Sequence, residues 1–176
     1  MEEQDKGKDN EVMGAMMFDR AKQEYPYLGD KDIAFKYSPQ PKPQYMLESY
    51  KGDDAPDWGK GRQAAIEVFN PKTRPLDILG DYVSHYAVEQ DPKMQEYYQQ
   101  FSSSLDPAFM QKRYQYHTQH LGEKRPYEEW AKMTGIPEMF RGYTFNQWGT
   151  PQQAAKKYTP QQLKILDEVR KHLGIK

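Results

Sequence analysis

The sequence predicts a mainly α fold, an irregular bundle of short helices with an extended Pro-rich N-terminal arm and at most one short strand. Helix start signals recur after residue 75, whereas the preceding stretch is rich in proline and glycine and has almost no helical period. The 176 residues are 36 % hydrophobic and have a mean hydropathy of −1.09. Such a chain has enough apolar surface for one modest core.

The N-terminal region divides into two parts. Residues 1–11 hold five acids against two lysines and lack hydrophobic period, which predicts a disordered acidic tail. Residues 12–25 repeat apolar side chains at spacings of three and four, which predicts a short amphipathic helix ended by a proline. Its methionines, Met16 and Met17 among them, suit either a core or a docking face, and core packing is favoured.

Residues 26–74 are predicted to form an extended Pro/Gly-rich arm or linker. The alternate prolines of "SPQPKPQ" fix φ and remove hydrogen-bond donors, which favours a polyproline-like path. Only residues 65–69, AIEVF, could form a short strand. A structureless stretch of this length is unusual inside a compact domain, so it is either a linker or an arm laid across another chain. Tyr45, Tyr50 and Trp58 would anchor such an arm.

A helical domain is predicted over residues 75–176. Asp91, Asp106, Thr150 and Thr159 each place a capping oxygen directly before a proline, which is the pattern of a helix start. Glycines 122, 135 and 174 occupy positions where helices would end. The predicted helices are 75–90, 92–104, 107–121, 126–134, 151–157 and 160–173.

The first of these helices carries acids and a histidine at every fourth position. Asp77, Asp81, His85 and Glu89 form this acid–histidine face, opposite a stripe of apolar side chains. A histidine one turn from a carboxylate can act as a base, but catalytic groups need a cleft that tunes their pKa. A solvated face is therefore favoured over an acid–base or metal site, and burial by a partner stays open.

No catalytic residue, metal site or cofactor is predicted. The chain has no cysteine, which excludes disulfides, thiolate zinc sites and cysteine nucleophiles. His117 and His120 form an H-x-x-H pair, but the pair lacks the glutamate of the H-E-x-x-H motif and a third ligand nearby in sequence.

Aromatic residues make up 14 % of the chain and cluster between residues 125 and 149. Trp130, Tyr143, Phe145 and Trp148 lie in this segment, and a break at Arg141 and Gly142 is expected to end any helix there. The aromatic cluster either closes the helix bundle or, if it is exposed, forms a binding hot spot for a partner.

The charge distribution does not point to one class of binding partner. The net charge of −1 favours neither nucleic acid nor membranes, and no apolar run is long enough to span a bilayer. We therefore expect a soluble chain without a signal peptide. Residues 150–176 hold six basic residues against two acids, which predicts a solvated helix face and, as an alternative, a weak DNA contact through the C-terminal helix.

Three strings resemble sequences in uncharacterised proteins of tailed bacteriophages and prophages. They are "FNPKTRPLDILGDYVSHYAVEQDP", "KRPYEEW" and "FRGYTFNQW", and the resemblance covers about residues 66–150. It implies a phage context, in which small cysteine-free proteins with extended arms often serve as parts of the virion. It carries no catalytic residues over to this chain.

The leading prediction is a non-enzymatic, virion-associated structural protein that assembles in multiple copies, as a head, portal or tail accessory or as an internal ejection protein. Its partners would be copies of itself and other virion proteins, and its location the virion and, during assembly, the host cytoplasm. One alternative is a small phage-encoded inhibitor or accessory protein that binds a host enzyme. Another is a hydrolase that uses the acid–histidine face.

Overall fold

The computed structural model describes residues 2–176, with side chains from residue 5 onward. It combines helices with one three-stranded sheet. The chain divides into two compact units, one reaching to Ala87 and including Leu173–Ile175, the other comprising Val88–His172 and Lys176. The domain boundary was predicted before residue 75. The boundary between the two units lies after Ala87 instead, since the helix that begins at Pro75 belongs to the first unit.

The sheet of the first unit is mixed. Its strands are β1 (Ile33–Tyr37), β2 (Leu47–Tyr50) and β3 (Ala64–Val68). β3 lies in the middle, parallel to β1 and antiparallel to β2, with Ala65 opposite both Ala34 and Tyr50. The prediction of at most one short strand is therefore wrong, and the fold is mainly α with a small sheet.

The alternate prolines that suggested an extended arm over residues 26–74 lie in the connection between β1 and β2. Proline is excluded from a central strand because it cannot donate to the ladder, but it is tolerated in connections. The connection 38–46 carries the alternate prolines, and two 3-10 turns (Gly52–Asp54 and Asp57–Gly59) lead into β3. The region predicted as an arm is thus a folded part of the first unit, because its short strands find their partners far along the chain.

The N-terminal helix α1 (Glu2–Glu24) is longer than predicted. Residues 2–11, expected to be disordered, are helical, and Met1 lies outside the described residues. Glu, Gln and Lys are good helix formers, and a helix that is already packed propagates more easily than it nucleates. Gly14 and Ala21 are buried on the side of α1 that packs on the sheet. A 3-10 turn (Pro26–Leu28) follows α1.

The helix α2 (Pro75–Tyr82) continues into a π-helical segment (Val83–Ala87). The predicted apolar stripe is confirmed over most of its length. Its buried members are Leu76, Leu79, Val83, Tyr86 and Ala87.

The second unit is helical. Its elements are α3 (Val88–Gln90), α4 (Pro92–Ser104), α5 (Pro107–His120), α6 (Tyr127–Trp130), a π-helical segment (Ala131–Gly135), α7 (Ile136–Thr144), α8 (Pro151–Ala155) and α9 (Pro160–Leu173), whose last residue is counted with the first unit. The predicted caps are confirmed, because the side chains of Asp91, Asp106, Thr150 and Thr159 each accept a hydrogen bond from a backbone N–H in the first turn.

The helix end predicted at Gly135 and the break at Arg141 and Gly142 are wrong, because helical structure runs through all three residues. The glycines serve packing. A Cβ atom on Gly135 would lie 2.7 Å from the Trp130 ring, and one on Gly142 would collide with the Trp148 ring. Small residues therefore let two tryptophan rings lie against the helix backbone.

Candidate interaction surfaces

The most exposed apolar surface of the first unit is one side of α1. Val12, Met13 and Met16 are 60 %, 45 % and 63 % exposed, and we call these three residues the α1 outer face. Ala21, on the opposite side of the helix, is fully buried. Core packing, the favoured role for this methionine face, therefore does not hold for Met16, and Met17 is only half-buried. A docking role for Met16 stays a prediction.

The inner side of α1 packs on β1. The rings of Phe18 and Phe35 stack with their centroids 5.0 Å apart, and a Cβ atom on Gly14 would lie 3.2 Å from the Cβ of Tyr37. A groove of about 820 Å³ lies between α1 and β1, and Arg62 is among the residues that line it. These contacts hold α1 with its outer face directed away from the sheet.

The loop between β1 and β2 presents a second exposed pair. Tyr45 is 60 % and Met46 42 % exposed. The backbone of the loop is tied down, because the N–H of Phe69 donates to the Met46 carbonyl at 2.9 Å. An apolar pair on an anchored loop loses little backbone entropy on binding, and partner binding by Tyr45 stays a prediction.

Tyr50 and Trp58, the other predicted anchors, are engaged within the first unit. Their rings meet edge to face with centroids 6.0 Å apart. The Tyr50 hydroxyl donates to Glu67 at 2.8 Å, and burial together with the neighbouring carboxylates of Glu67 and Glu48 raises the Tyr50 pKa. The ammonium group of Lys36 lies over the Trp58 ring. Both aromatics are half-buried and stabilise the sheet, which leaves them little surface for a partner.

Three of the four predicted aromatic hot spots are core residues. Trp130 is 0 %, Phe145 1 % and Tyr143 9 % exposed. The indole N–H of Trp130 donates to Nδ1 of His117 at 3.1 Å, and the Tyr143 hydroxyl donates to Asp167 at 2.5 Å. Their assignment as partner-binding residues is corrected, because these rings fill the helical core.

Trp148 is half-buried and lies between cations. Lys157 is 4.6 Å and Arg113 5.2 Å from the centre of its ring, and Tyr158 stacks on it at 6.1 Å. Cation–π contacts of this kind hold the ring in place. Sequence reasoning missed them, since Arg113 lies on α5 and Trp148 in the connection between α7 and α8, and no local signal pairs the two.

The acid–histidine face is more structured than a solvated helix face. Asp77 pairs with Arg74 in the N-terminal cap of α2, and Asp81 accepts a hydrogen bond from the Ser49 hydroxyl on β2. His85 lies 3.4 Å from Asp81 and is 43 % exposed. Since the carboxylate of Asp81 lies between the serine and the histidine, it joins α2 to β2. A Ser-His-Asp triad would instead need the histidine between the serine nucleophile and the acid.

Glu89, the last member of the acid–histidine face, belongs to the second unit and is exposed. The two histidines of the H-x-x-H pair also differ in environment. His117 is buried and its Nδ1 accepts from Trp130, while His120 is exposed and its ring is tilted against that of Tyr116 with centroids 4.8 Å apart. Among the described residues, no group of three or more histidine, aspartate or glutamate side chains is placed to hold a metal ion.

Comparison with protein-family models, curated proteins and solved structures finds no significant match. Over residues 2–176, no helix is both long and apolar enough to cross a bilayer. Any functional assignment therefore depends on the surfaces described above.

Proposed function

We propose that the chain is a non-enzymatic structural component of a phage particle, which attaches to other chains and assembles in multiple copies. The α1 outer face is the observation that carries this proposal. Two methionines and a valine lie side by side on a helix that the sheet already holds from behind. Flexible, polarizable methionine side chains suit a surface that binds other proteins.

The exposed pair Tyr45 and Met46 supports the same proposal, because it adds apolar contact area on an anchored loop of the same unit. The phage context follows from the resemblance of residues 66–150 to phage and prophage sequences. In that context the protein acts in the virion and, before assembly, in the host cytoplasm.

The arrangement of polar groups argues against hydrolysis at the acid–histidine face. Asp77 is committed to Arg74 and Asp81 to Ser49, so both of these carboxylates have a structural partner. An active hydrolase would require His85 for proton transfer. We expect His85→Ala to leave phage growth unchanged, and a growth defect in a variant that folds normally would revive the hydrolase alternative.

The direct test of the proposal is to purify phage particles from the strain that encodes this chain and to quantify the chain by mass spectrometry. We expect the wild-type chain in every preparation at a fixed copy number above one. Met16→Asp should be depleted from particles, because a charge on the α1 outer face opposes its burial.

A matched control is Met133→Asp. Met133 is 62 % exposed, nearly the same as Met16, but lies in the second unit. We expect the Met133 variant to enter particles like wild type. Absence of the wild-type chain from purified particles, or its stable capture by a host enzyme at fixed stoichiometry instead, would overturn the proposal and favour the inhibitor alternative.

A further inference from the structure

We infer that the α1 outer face pairs with the same face of a second copy of this chain, with the two α1 helices antiparallel. This inference rests on the proposed function and specifies one contact within it. The partner of this face is a second copy because two antiparallel α1 helices bring the acid of one copy opposite the base of the other.

The α1 outer face is extended by a charge at each end. At 100° per residue, Asp9 and Arg20 fall on the same side of α1 as Met16. Both side chains are exposed, Asp9 toward the N-terminal end and Arg20 toward the C-terminal end. The face therefore has an apolar centre, an acidic N-terminal end with Asp5 one turn before Asp9, and a basic residue, Arg20, at its C-terminal end.

Two-fold symmetry matches these residues to one another. Asp9 and Arg20 are equally far along the chain from the midpoint between Gly14 and Ala15, and so are Met13 and Met16. A two-fold axis through that midpoint places Met13 opposite Met16 of the second copy and Asp9 opposite Arg20 of the second copy. Each dimer would thus contain an apolar centre flanked by two equivalent ion pairs, because every contact of an isologous interface occurs twice.

The opposite orientation is disfavoured by the same charges. In a parallel pair Asp9 would meet Asp9 and Arg20 would meet Arg20, which places like charges together at both ends. The inner side of α1 offers no competing surface, because Ala21 is buried and Phe18 stacks on Phe35. The charge pattern therefore selects one orientation as well as one partner.

Sedimentation equilibrium on the purified full-length chain tests the inference through charge reversal. We expect wild type to dimerise, and Asp9→Arg or Arg20→Asp alone to weaken dimerisation by about tenfold or more, because each creates two repulsive pairs. The double variant Asp9→Arg/Arg20→Asp should return the affinity to within about threefold of wild type. Circular dichroism checks that each variant keeps its helix content.

Cysteine cross-linking gives an independent readout, since the natural chain has no cysteine. Under mild oxidation, a mixture of Asp9→Cys and Arg20→Cys chains should form the mixed disulfide dimer faster than either variant cross-links with itself. Equal or faster self-cross-linking would indicate a parallel pair or random collision and would overturn the inference.

The inference also fails if wild type stays monomeric up to about 0.5 mM, or if single reversals leave dimerisation unchanged. Failure here is distinguishable from failure of the proposed function. A monomeric chain whose Met16→Asp variant is still lost from particles would mean that the α1 outer face contacts a different virion protein. The proposed function would then stand without this dimer.

Discussion

At the residue scale, the hydroxyl of Tyr86 forms hydrogen bonds with backbone groups of β2 and β3. It lies 2.7 Å from the carbonyl oxygen of Tyr50 and 3.0 Å from that of Ala65, and it accepts from the Ala65 N–H at 3.2 Å. The ring is 2 % exposed, and burial raises the Tyr86 pKa. One side chain of the π-helical segment thus satisfies backbone groups of β2 and β3 at the place where their pairing ends.

We predict that Tyr86→Phe destabilises the fold by about 1–3 kcal/mol, because it leaves a buried backbone N–H without an acceptor. The free energy of unfolding in urea measures this loss. Tyr45→Phe is the control, since the Tyr45 ring is 60 % exposed, and it should change stability by less than about 0.5 kcal/mol. Equal effects of the two changes would contradict the role assigned to Tyr86.

Glu123 provides a second test at the same scale. Its carboxylate accepts hydrogen bonds from the guanidinium and backbone N–H of Arg125, which lower the Glu123 pKa from its ordinary 4.5 to about 2. A lowered pKa means that the fold favours the ionised form. The stability contributed by this pair is therefore complete above about pH 4.5 and is lost as pH falls toward 2.

An NMR titration of the Glu123 side chain should show this pKa directly. In Arg125→Gln the midpoint should move back toward the ordinary value, because the guanidinium is gone. A wild-type midpoint near 4.5 would contradict the predicted pairing.

At the scale of elements, one buried arginine caps a helix. The guanidinium of Arg170 donates to the carbonyls of Tyr143 at 3.2 Å and Thr144 at 2.9 Å, which lie at the C-terminal end of α7. It also donates to the side chain of Asn146 at 3.0 Å and to the carbonyl of Lys176 at 2.8 Å. Carbonyls at a helix end lack partners within the helix, and a cation there also complements the helix dipole.

We expect Arg170→Met to destabilise the second unit by about 2–4 kcal/mol, because four acceptors lose a buried donor. Lys171→Met is the control, since Lys171 is exposed on the same helix, and its effect should stay within about 0.5 kcal/mol. Thermal or urea unfolding followed by circular dichroism compares the two variants. An Arg170 variant as stable as the control would show that the cap is dispensable.

Element boundaries were predictable where the signal is local. The Asp-Pro and Thr-Pro starts of α4, α5, α8 and α9 are confirmed at the predicted residues, because a cap and its N–H lie within four positions of each other. That helical structure continues through Gly135 was not predictable. This glycine was expected to end a helix, but it is needed to accommodate the ring of Trp130.

At the scale of the whole molecule, the small net charge predicts weak binding to DNA. The net charge is −1, and Arg170, one of the basic residues of α9, is 7 % exposed and committed to carbonyls. Lys164 and Lys171 remain exposed on that helix. We therefore expect a Kd for duplex DNA weaker than about 10⁻⁴ M at physiological salt, measured by fluorescence anisotropy.

Replacing both Lys164 and Lys171 by alanine should further weaken whatever binding remains at low salt and flatten its salt dependence. Met133→Ala, a change without charge, serves as the control. Tight binding with a steep salt slope in wild type would contradict this prediction and would make the C-terminal helix a nucleic-acid contact.

The sequence by itself determined where most helices of residues 75–173 begin and which side of α2 is buried. These properties depend on caps and on periodicity, which act over one or two helical turns. Tertiary structure decided the sheet, because Ile33 of β1 pairs with Ala64 of β3 across an intervening segment that contains β2, and no local signal links β1 to β3. It also decided which apolar residues are exposed. Trp130 is buried and Met16 is not, since burial depends on which side of each helix a neighbouring element covers.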